Sequence, residues 1–263
     1  MNNVENENEA LWQQFLVEGQ TFVGVGRAIF RTLPHDPRCM SCHSPFEGYG
    51  GRLTSLIGRG QSREDPRFCN ACLNFSRDHP GGAYVDLAMV FADVRGSTPL
   101  AERVGDREFS HLIDRFFQVS AASLINSGAL IDRLAGDEAI GFFVPGLAGP
   151  NFAARAVESA KDLLMATGHT DPEGPWIPVG AGVHYGKSFL GMVGSTKGVS
   201  DFTALGNDIN VGARIASAAG PGELLASLEL CHEANVDISG LEQHQLSLKG
   251  KQEPMQVAVI PLK

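Results

Sequence analysis

The sequence predicts an α+β protein whose core strands and helices alternate in the order β-α-β-β-α-β. A β-branched and aromatic run over 85–94 is typical of a buried strand, and residues 129–144 have the pattern of strand, tight turn and strand. Apolar residues at helical spacing fill 106–128 and 150–168, so one helix precedes this hairpin and another follows it. This order is that of a ferredoxin-like fold.

The remaining elements extend this core toward the C-terminus. The helix over 106–128 ends at Gly128, a residue that suits a helix C-terminus. Residues 177–194 predict a hairpin that turns at Tyr185–Gly186. Beyond it, the pattern predicts a third helix near 206–218 and extra strands near 223–226, 243–249 and 255–261.

Composition excludes several classes of function. The chain has 263 residues, a formal net charge of −9 and a pI of about 5.3, which disfavours a protein that coats nucleic acid. No apolar run approaches the ~20 residues of a membrane helix. The first ten residues are acidic and polar, unlike a secretory signal. We therefore expect a soluble cytoplasmic protein with no nucleic-acid or membrane partner.

Four of the five cysteines form two Cys-x-x-Cys pairs, Cys39 with Cys42 and Cys69 with Cys72. In a reducing cytoplasm such pairs bind metal more often than they form disulfides. Few apolar residues lie between 34 and 82, so a tetrahedral metal site would hold this segment together. We predict one structural Zn²⁺ per protomer; an iron–sulfur cluster is the alternative, although nothing else in the chain suggests redox chemistry.

These observations divide the chain into three parts. Residues 8–30 carry apolar side chains at helical spacing, so we assign 1–38 to N-terminal amphipathic helices. Residues 39–82 form the four-cysteine module, and "HPGGAY" marks its end. The catalytic domain is expected over 84–263.

Two aspartates of the predicted core are candidate ligands for divalent cations. Asp93 ends the first strand and is followed by "VRGST", and Asp137 lies in the turn of the neighbouring hairpin. In the predicted fold these strands are adjacent in the sheet, so the carboxylates can meet. Two carboxylates and a polyphosphate are typical ligands of Mg²⁺.

Four motifs then resemble one family. "FADVRGST", "IDRLAGDEAIGFF", "DFTALGNDINVGAR" and "LKGKQEPMQV" occur in the order and spacing of class III adenylate/guanylate cyclase catalytic domains. The two Cys-x-x-Cys pairs are similar to an N-terminal extension of some bacterial cyclases of this class. The second motif also resembles the diguanylate cyclase signature, but Ala135 and Ala139 replace a glycine and the aromatic residue of that signature.

The resemblance implies a two-metal reaction that converts a nucleoside triphosphate to a cyclic nucleotide and pyrophosphate. It assigns two Mg²⁺ or Mn²⁺ ions per active site to Asp93, Asp137 and the carbonyl of Val94. It also assigns roles to four further residues: Asn210 orients the ribose, Arg214 stabilises the α-phosphoryl charge, and Lys249 or Lys251 neutralises the terminal phosphates. The family's site straddles a dimer interface, and this chain carries both halves, so the resemblance implies a homodimer.

The choice of base is left open by Arg133 and Thr203. Adenine-selective members usually carry Lys and Asp or Thr at these positions, and guanylate cyclases usually carry Glu and Cys. Thr203 fits adenine, whereas the donor fork of Arg133 also suits guanine or a pyrimidine carbonyl edge. ATP and 3′,5′-cyclic AMP are the first choice. The alternatives are GTP, UTP or CTP as substrate, or a nucleotide-binding regulator without activity that carries a zinc interaction module.

Overall fold

The computed structural model describes residues 2–19, 21–34, 37–194, 200–247 and 254–263, and the chain divides into two units. The first unit contains residues up to Val85 together with Val144–Pro150 and Phe189–Leu205. The second contains Asp86–Phe143, Asn151–Ser188 and Gly206–Lys263.

The described residues form the following elements. The helices are α1 (Asn2–Gln13), α2 (Thr21–Thr32), α3 (Gly48–Leu56), α4 (Asn70–Asp78), α5 (Ser97–Val104), α6 (Asp106–Ser127), α7 (Pro145–Ala148), α8 (Phe152–Ala166), α9 (Asn207–Ala218) and α10 (Leu228–Glu233). A π-helical segment, Gln14–Glu18, follows α1. The strands are β1 (Gly82–Val94), β2 (Leu130–Ala135), β3 (Glu138–Phe143), β4 (Val179–Gly194), β5 (Ser200–Leu205), β6 (Leu224–Ser227), β7 (Gln243–Leu246) and β8 (Met255–Val259).

The strands join in one sheet, in the order β2-β3-β1-β4-β6-β8-β7, and β5 pairs with β4. Strand β3 is antiparallel to both β1 and β2, whereas β4 and β6 are parallel. The chain order β1-α6-β2-β3-α8-β4 confirms the predicted α+β, ferredoxin-like core. Strands β6, β7 and β8 are the expected additions near the C-terminus.

One predicted element is wrong. Residues 177–194 do not form a hairpin at Tyr185–Gly186, because β4 runs without interruption from Val179 to Gly194. Gly186 is needed for close packing and not for a turn: a Cβ atom there would lie 2.4 Å from Oδ2 of Asp208 on α9. The return strand is instead β5, which pairs with residues 189–194.

Helices α6 and α8 pack together in the second unit. Buried Ile113, Phe116, Ser120 and Leu124 follow helical spacing along α6 and form its inner face. The helix begins with acidic residues in its first turn and ends at Gly128, where φ is 94°. Ser123 Oγ on α6 donates a hydrogen bond to the carbonyl of Ser159 on α8, 2.7 Å away.

Helix α9 packs against β6 and β8 in the second unit. Val211 and Ile215 of the helix, with Ala219 just after it, pack against Leu225 of β6 and Val257 of β8, and all five residues are buried. Gly212 brings the helix close to β1, since a Cβ at this position would lie 2.6 Å from the Phe91 ring. This packing fixes the helix that carries the predicted Asn210 and Arg214.

In the first unit, the N-terminal helices pack on the cysteine-rich segment and on α7. Trp12 is almost fully buried, and its Nε1 donates to the carbonyl of His79 at 2.9 Å. Gly146 of α7 approaches the π-helical segment so closely that a Cβ would lie 2.5 Å from the carbonyl oxygen of Phe15. Within the described part of the chain, no helix is both long and apolar enough to cross a membrane.

Candidate functional site

Asp93 and Asp137 meet at one end of the β1–β3 pair. Asp93 is the next-to-last residue of β1 and lies opposite Glu138, the first residue of β3. The backbone N–H of Val94 donates to the carbonyl of Asp137 at 3.0 Å, which ties the hairpin turn to the strand end. Gly136 permits this tight turn because it takes a φ of 66°. The structure thus brings Asp93, Val94 and Asp137 together.

Partial burial and mutual repulsion act on these carboxylates. Burial raises the pKa of Asp93; the positive charge of Arg95 opposes this rise, and the negative charge of Asp137 adds to it. Burial likewise raises the pKa of Glu138, and the charge of Asp93 raises it further. Three carboxylates and a backbone carbonyl form a set of hard oxygen donors, which is the chemistry that Mg²⁺ and Mn²⁺ prefer.

Arg95 is a member of this site that the sequence analysis missed. Its Nη2 lies 2.8 Å from Oδ1 of Asp93, and its Nε donates to the carbonyl of Asp93 at 3.1 Å. Its Nη1 donates to the carbonyl of Ser217 at 3.3 Å and to that of Ala216 at 3.5 Å. Arg95 therefore links the Asp93 carboxylate to the C-terminal end of α9. The arginine of "FADVRGST" is visible in the sequence, but its partners on α9 are not.

Asn210 and Arg214 lie one turn apart on α9. Asn210 is exposed, and its Nδ2 is 3.4 Å from the carbonyl of Gly206. Arg214 is half-buried, and among the described residues its guanidinium has no hydrogen-bond or ion-pair partner. Both side chains are therefore available to another molecule. Asp208 holds the first turn of α9 in place. It accepts a hydrogen bond from the backbone N–H of Lys187 at 2.9 Å, and its Oδ1 lies 3.8 Å from Nε2 of buried His184.

The two predicted base-selecting residues lie on different strands. Arg133 is exposed on β2, opposite Ile140, directly after a register shift in the β2–β3 ladder. Thr203 is half-buried on β5, opposite Gly191. Arg133 belongs to the second unit and Thr203 to the first. Lys249 and Lys251, the predicted phosphate ligands, lie outside the described residues.

The four paired cysteines come together as predicted. The ligand atoms of Cys39, Cys42, Cys69 and Cys72 all lie within 4.8 Å of one another, and the sulfurs of Cys42 and Cys69 are 3.7 Å apart. A tetrahedral site with Zn–S bonds of about 2.3 Å has S···S edges of about 3.8 Å. This cluster therefore fits a metal ion of that size and geometry.

The surroundings of the cluster favour thiolates at some positions. Backbone N–H groups of Cys69 and Cys72 donate to the sulfurs of Cys39 and Cys69, at 3.3 and 3.4 Å. Hydrogen bonds from the other three cysteines lower the pKa of Cys42, whereas burial raises the pKa of Cys39. Burial acts to lower the pKa of Arg59, but the negative charges of Cys42 and Cys72 outweigh it and raise that pKa. The positive charge of Arg59 and the negative charges of the sulfurs therefore stabilise each other.

The same segment is joined to β5. Arg67 forms a two-point ion pair with Asp65, and its Nη2 also lies 2.7 Å from Oδ1 of Asp201. The Phe68 and Phe202 rings are 6.3 Å apart, and the Trp12 and Phe202 rings are 5.8 Å apart. The four-cysteine module thus contacts the two residues that precede Thr203.

Sequence comparison finds relatives without assigned activity. No family model matches the chain. The uncharacterized protein Rv1319c of Mycobacterium tuberculosis is 30% identical over 213 residues, which are 79% of this chain and 38% of the relative. Rv1318c of the same organism is 26% identical with the same coverage. The chain therefore spans well under half the length of these curated relatives.

Structural comparison identifies the fold. The chain is similar to the guanylyl cyclase Cya2, with a TM-score of 0.61 and 21% identity over 68% of this chain and 93% of that one. It is similar to the adenylyl cyclase CyaB from P. aeruginosa, with a TM-score of 0.58 and 23% identity over 68% and 95%. The guanylate cyclase domain of RhGC from Catenaria anguillulae, in complex with GTP, gives a TM-score of 0.56 and 20% identity over 67% and 97%. This likeness confirms the predicted fold.

Proposed function

We propose that the chain is a class III nucleotidyl cyclase that converts a nucleoside triphosphate to a 3′,5′-cyclic nucleotide and pyrophosphate. The observation that carries this proposal is the meeting of Asp93 and Asp137 at the end of β1, in a fold shared with adenylyl and guanylyl cyclases. The four sequence motifs support the same reaction.

The catalytic cations would be held by Asp93, Asp137 and the Val94 carbonyl. Two Mg²⁺ or Mn²⁺ ions there would lower the pKa of the ribose 3′-hydroxyl and neutralise the triphosphate. The 3′-oxygen attacks the α-phosphorus, and pyrophosphate leaves. Asn210 orients the ribose, and Arg214 stabilises the charge of the α-phosphoryl group in the transition state. Lys249 or Lys251 would contact the terminal phosphates.

The active unit is proposed to be a homodimer with two equivalent sites, each made by both protomers. Exposed Asn210 and the guanidinium of Arg214, which has no partner among the described residues, support it, because both side chains are available to a substrate at a protomer interface. The four-cysteine module would hold one structural Zn²⁺ per protomer. We retain the assignment of 1–38 to helices, 39–82 to this module and 84–263 to the catalytic domain.

ATP is the proposed substrate, and GTP, UTP and CTP are the competing ones. Thr203 is compatible with adenine, and the exposed Arg133 can donate to adenine N1 or to the carbonyl edges of the other bases. We also propose that the protein acts in the cytoplasm, where nucleoside triphosphates are found and thiols stay reduced.

The test is pyrophosphate release from each of the four nucleotides with Mn²⁺, followed by product identification by mass spectrometry from a mixture. We expect the cyclic monophosphate of adenosine to dominate and Asp137→Asn to abolish it. His111→Asn, on an exposed face of α6, serves as the control. Silence with all four nucleotides would contradict the proposed activity.

A further inference from the structure

The first unit contains a cavity beside the four-cysteine cluster that the proposed reaction does not use. Its volume is about 200 Å³. The cavity is partly open to solvent, and several of its lining residues, including Phe15, Ala71 and Phe75, are only half-buried, so a ligand can enter it from the surface. Five aromatic rings line it: Trp12, Phe15, Phe68, Phe75 and Phe202.

The aromatic walls support one another. The Trp12 ring lies 5.2 Å from that of Phe75 and 6.0 Å from that of Phe15, both edge-on. Its indole nitrogen is fixed by the hydrogen bond to the carbonyl of His79. Edge-on contacts of this kind stabilise aromatic pairs beyond simple burial, so the walls are preformed.

Two of the polar side chains at the wall make contacts of their own. The Ser76 hydroxyl donates to the carbonyl of Cys72 at 3.0 Å. The Arg59 guanidinium lies 5.4 Å from the centre of the Phe30 ring. An ordered water molecule needs two to four polar partners, and the five rings offer none. These walls therefore suit an apolar occupant better than water.

We propose that this cavity is a binding site for a small, neutral, planar aromatic molecule of about the size of indole. The rings provide flat apolar walls on several sides. A charged ligand would lose its hydration against the five apolar rings. A cation would find no carboxylate, since none of the described lining residues is acidic.

The cavity lies against β5, so a bound molecule can affect that strand. Phe202 forms part of the wall and directly precedes Thr203, so an occupant contacts the strand of the proposed base-selecting residue. This consequence rests on the proposed function, whereas binding itself does not. The decisive measurement is therefore binding and not turnover.

The test is isothermal titration of the metal-loaded full chain with indole. We expect one saturable site per protomer and, because an added side chain takes up the same space, binding at least about tenfold weaker in Ala71→Leu. Ala71 lines the cavity, whereas neighbouring Asn70 is exposed, so Asn70→Leu is the matched control and should bind like wild type. Indole-3-carboxylate should bind at least about tenfold more weakly than indole.

A second measurement does not depend on the folding of Ala71→Leu. The chain has two tryptophans, so in Trp176→Phe the emission comes from Trp12 alone. Toluene should then change the emission of Trp12 with a saturable concentration dependence. No saturable heat with indole and no saturable change with toluene would overturn the proposal, as would equal indole binding by a folded, metal-loaded Ala71→Leu variant.

Discussion

The Asp93 carboxylate is shared between an ion pair and the proposed cation site. Its Oδ1 contacts Arg95, whose side chain is only 17% exposed and also bonds the end of α9. One cation beside three acidic groups offsets part of their repulsion. The fork of donors also fixes the direction in which the carboxylate points, which a flexible lysine would do less well.

Arg95 is therefore predicted to be a positioning residue. Arg95→Met should lower kcat/KM by about 10- to 100-fold and raise the Mn²⁺ concentration needed for half-maximal activity, as is typical for partners that orient metal ligands. Arg95→Lys should recover only part of the loss. Arg103→Met, at an exposed position of α5, is the control. Wild-type metal dependence in Arg95→Met would disprove this role.

Arg133 is predicted to influence the choice of base. It offers only hydrogen-bond donors, whereas glutamate offers only acceptors, so Arg133→Glu should pair with the N1–H and N2 amino group of guanine. We expect the ratio of kcat/KM for ATP to that for GTP to fall by about tenfold or more. The exposed Arg155 of α8 provides a charge-matched control, Arg155→Glu. An unchanged ratio in Arg133→Glu would show that Arg133 does not contact the base.

At the scale of elements, the junction of α8 and β4 depends on a neutral histidine. His169 Nε2 accepts a hydrogen bond from the backbone N–H of Val179, the first residue of β4, at 3.0 Å. Burial lowers the pKa of His169 in the folded chain. Protonation would remove the acceptor, so the strand start is bound best by the uncharged ring.

This arrangement predicts a pH dependence of stability. The unfolded histidine has a pKa of about 6.5, so on acidification the unfolded chain takes up more protons at this residue. The contribution of His169 to the free energy of unfolding is complete above about pH 6.5. It is lost as the pH falls toward the pKa of His169 in the folded chain. Urea unfolding at about pH 7.5 and about pH 5 should therefore show a smaller acid-induced loss in His169→Gln than in wild type. His111→Gln, at an exposed position, should keep the wild-type loss; equal losses in all three proteins would contradict the prediction.

The four-cysteine cluster is predicted to stabilise the whole first unit and not only its own loops. The segment that it closes carries Phe68 and Arg67, which contact Phe202 and Asp201. Removal of the metal by a chelator, or Cys42→Ser, should lower the melting temperature and expose Trp12 to solvent. Cys231→Ser is the control, because Cys231 is buried in α10, away from the cluster in sequence and unit. Metal analysis giving less than about one zinc per two protomers, with unfolding unaffected by chelator, would contradict this prediction.

At the scale of the whole molecule, the shared-site dimer makes a prediction about mixtures. Asp93→Ala removes a metal ligand, and Arg214→Ala removes the proposed transition-state cation, so each homodimer should be inactive. A mixture should regain activity, because a hybrid dimer has one site with both residues intact. Hybrids are detected by native mass spectrometry with differently tagged chains. Hybrid dimers without activity would rule out the shared site.

Much of the fold was predictable because buried strands and helices show characteristic patterns of apolar residues in the sequence. The apolar run over 85–94 matches the buried strand β1, and the helical repeat over 106–128 matches α6. The spacing of the cysteines alone indicated that the four would come together. The prediction at Tyr185–Gly186 was wrong, because a glycine that opens a turn and one that admits Asp208 look the same in sequence. The members of the site were likewise predicted only in part. Asp93 and Asp137 were expected to meet, but Arg95 was not expected to join them.

The sequence by itself determined the order of the core elements, the identity of the candidate ligands and the grouping of the four cysteines. Each of these depends on residue type and local spacing, which the chain carries directly. Only the tertiary structure decided that Arg95 bridges Asp93 and α9, that the four-cysteine module contacts β5, and that Trp12 and Phe202 line a common cavity. These are contacts between residues far apart in the sequence, or spaces that no residue occupies, and they arise when packing brings distant surfaces together.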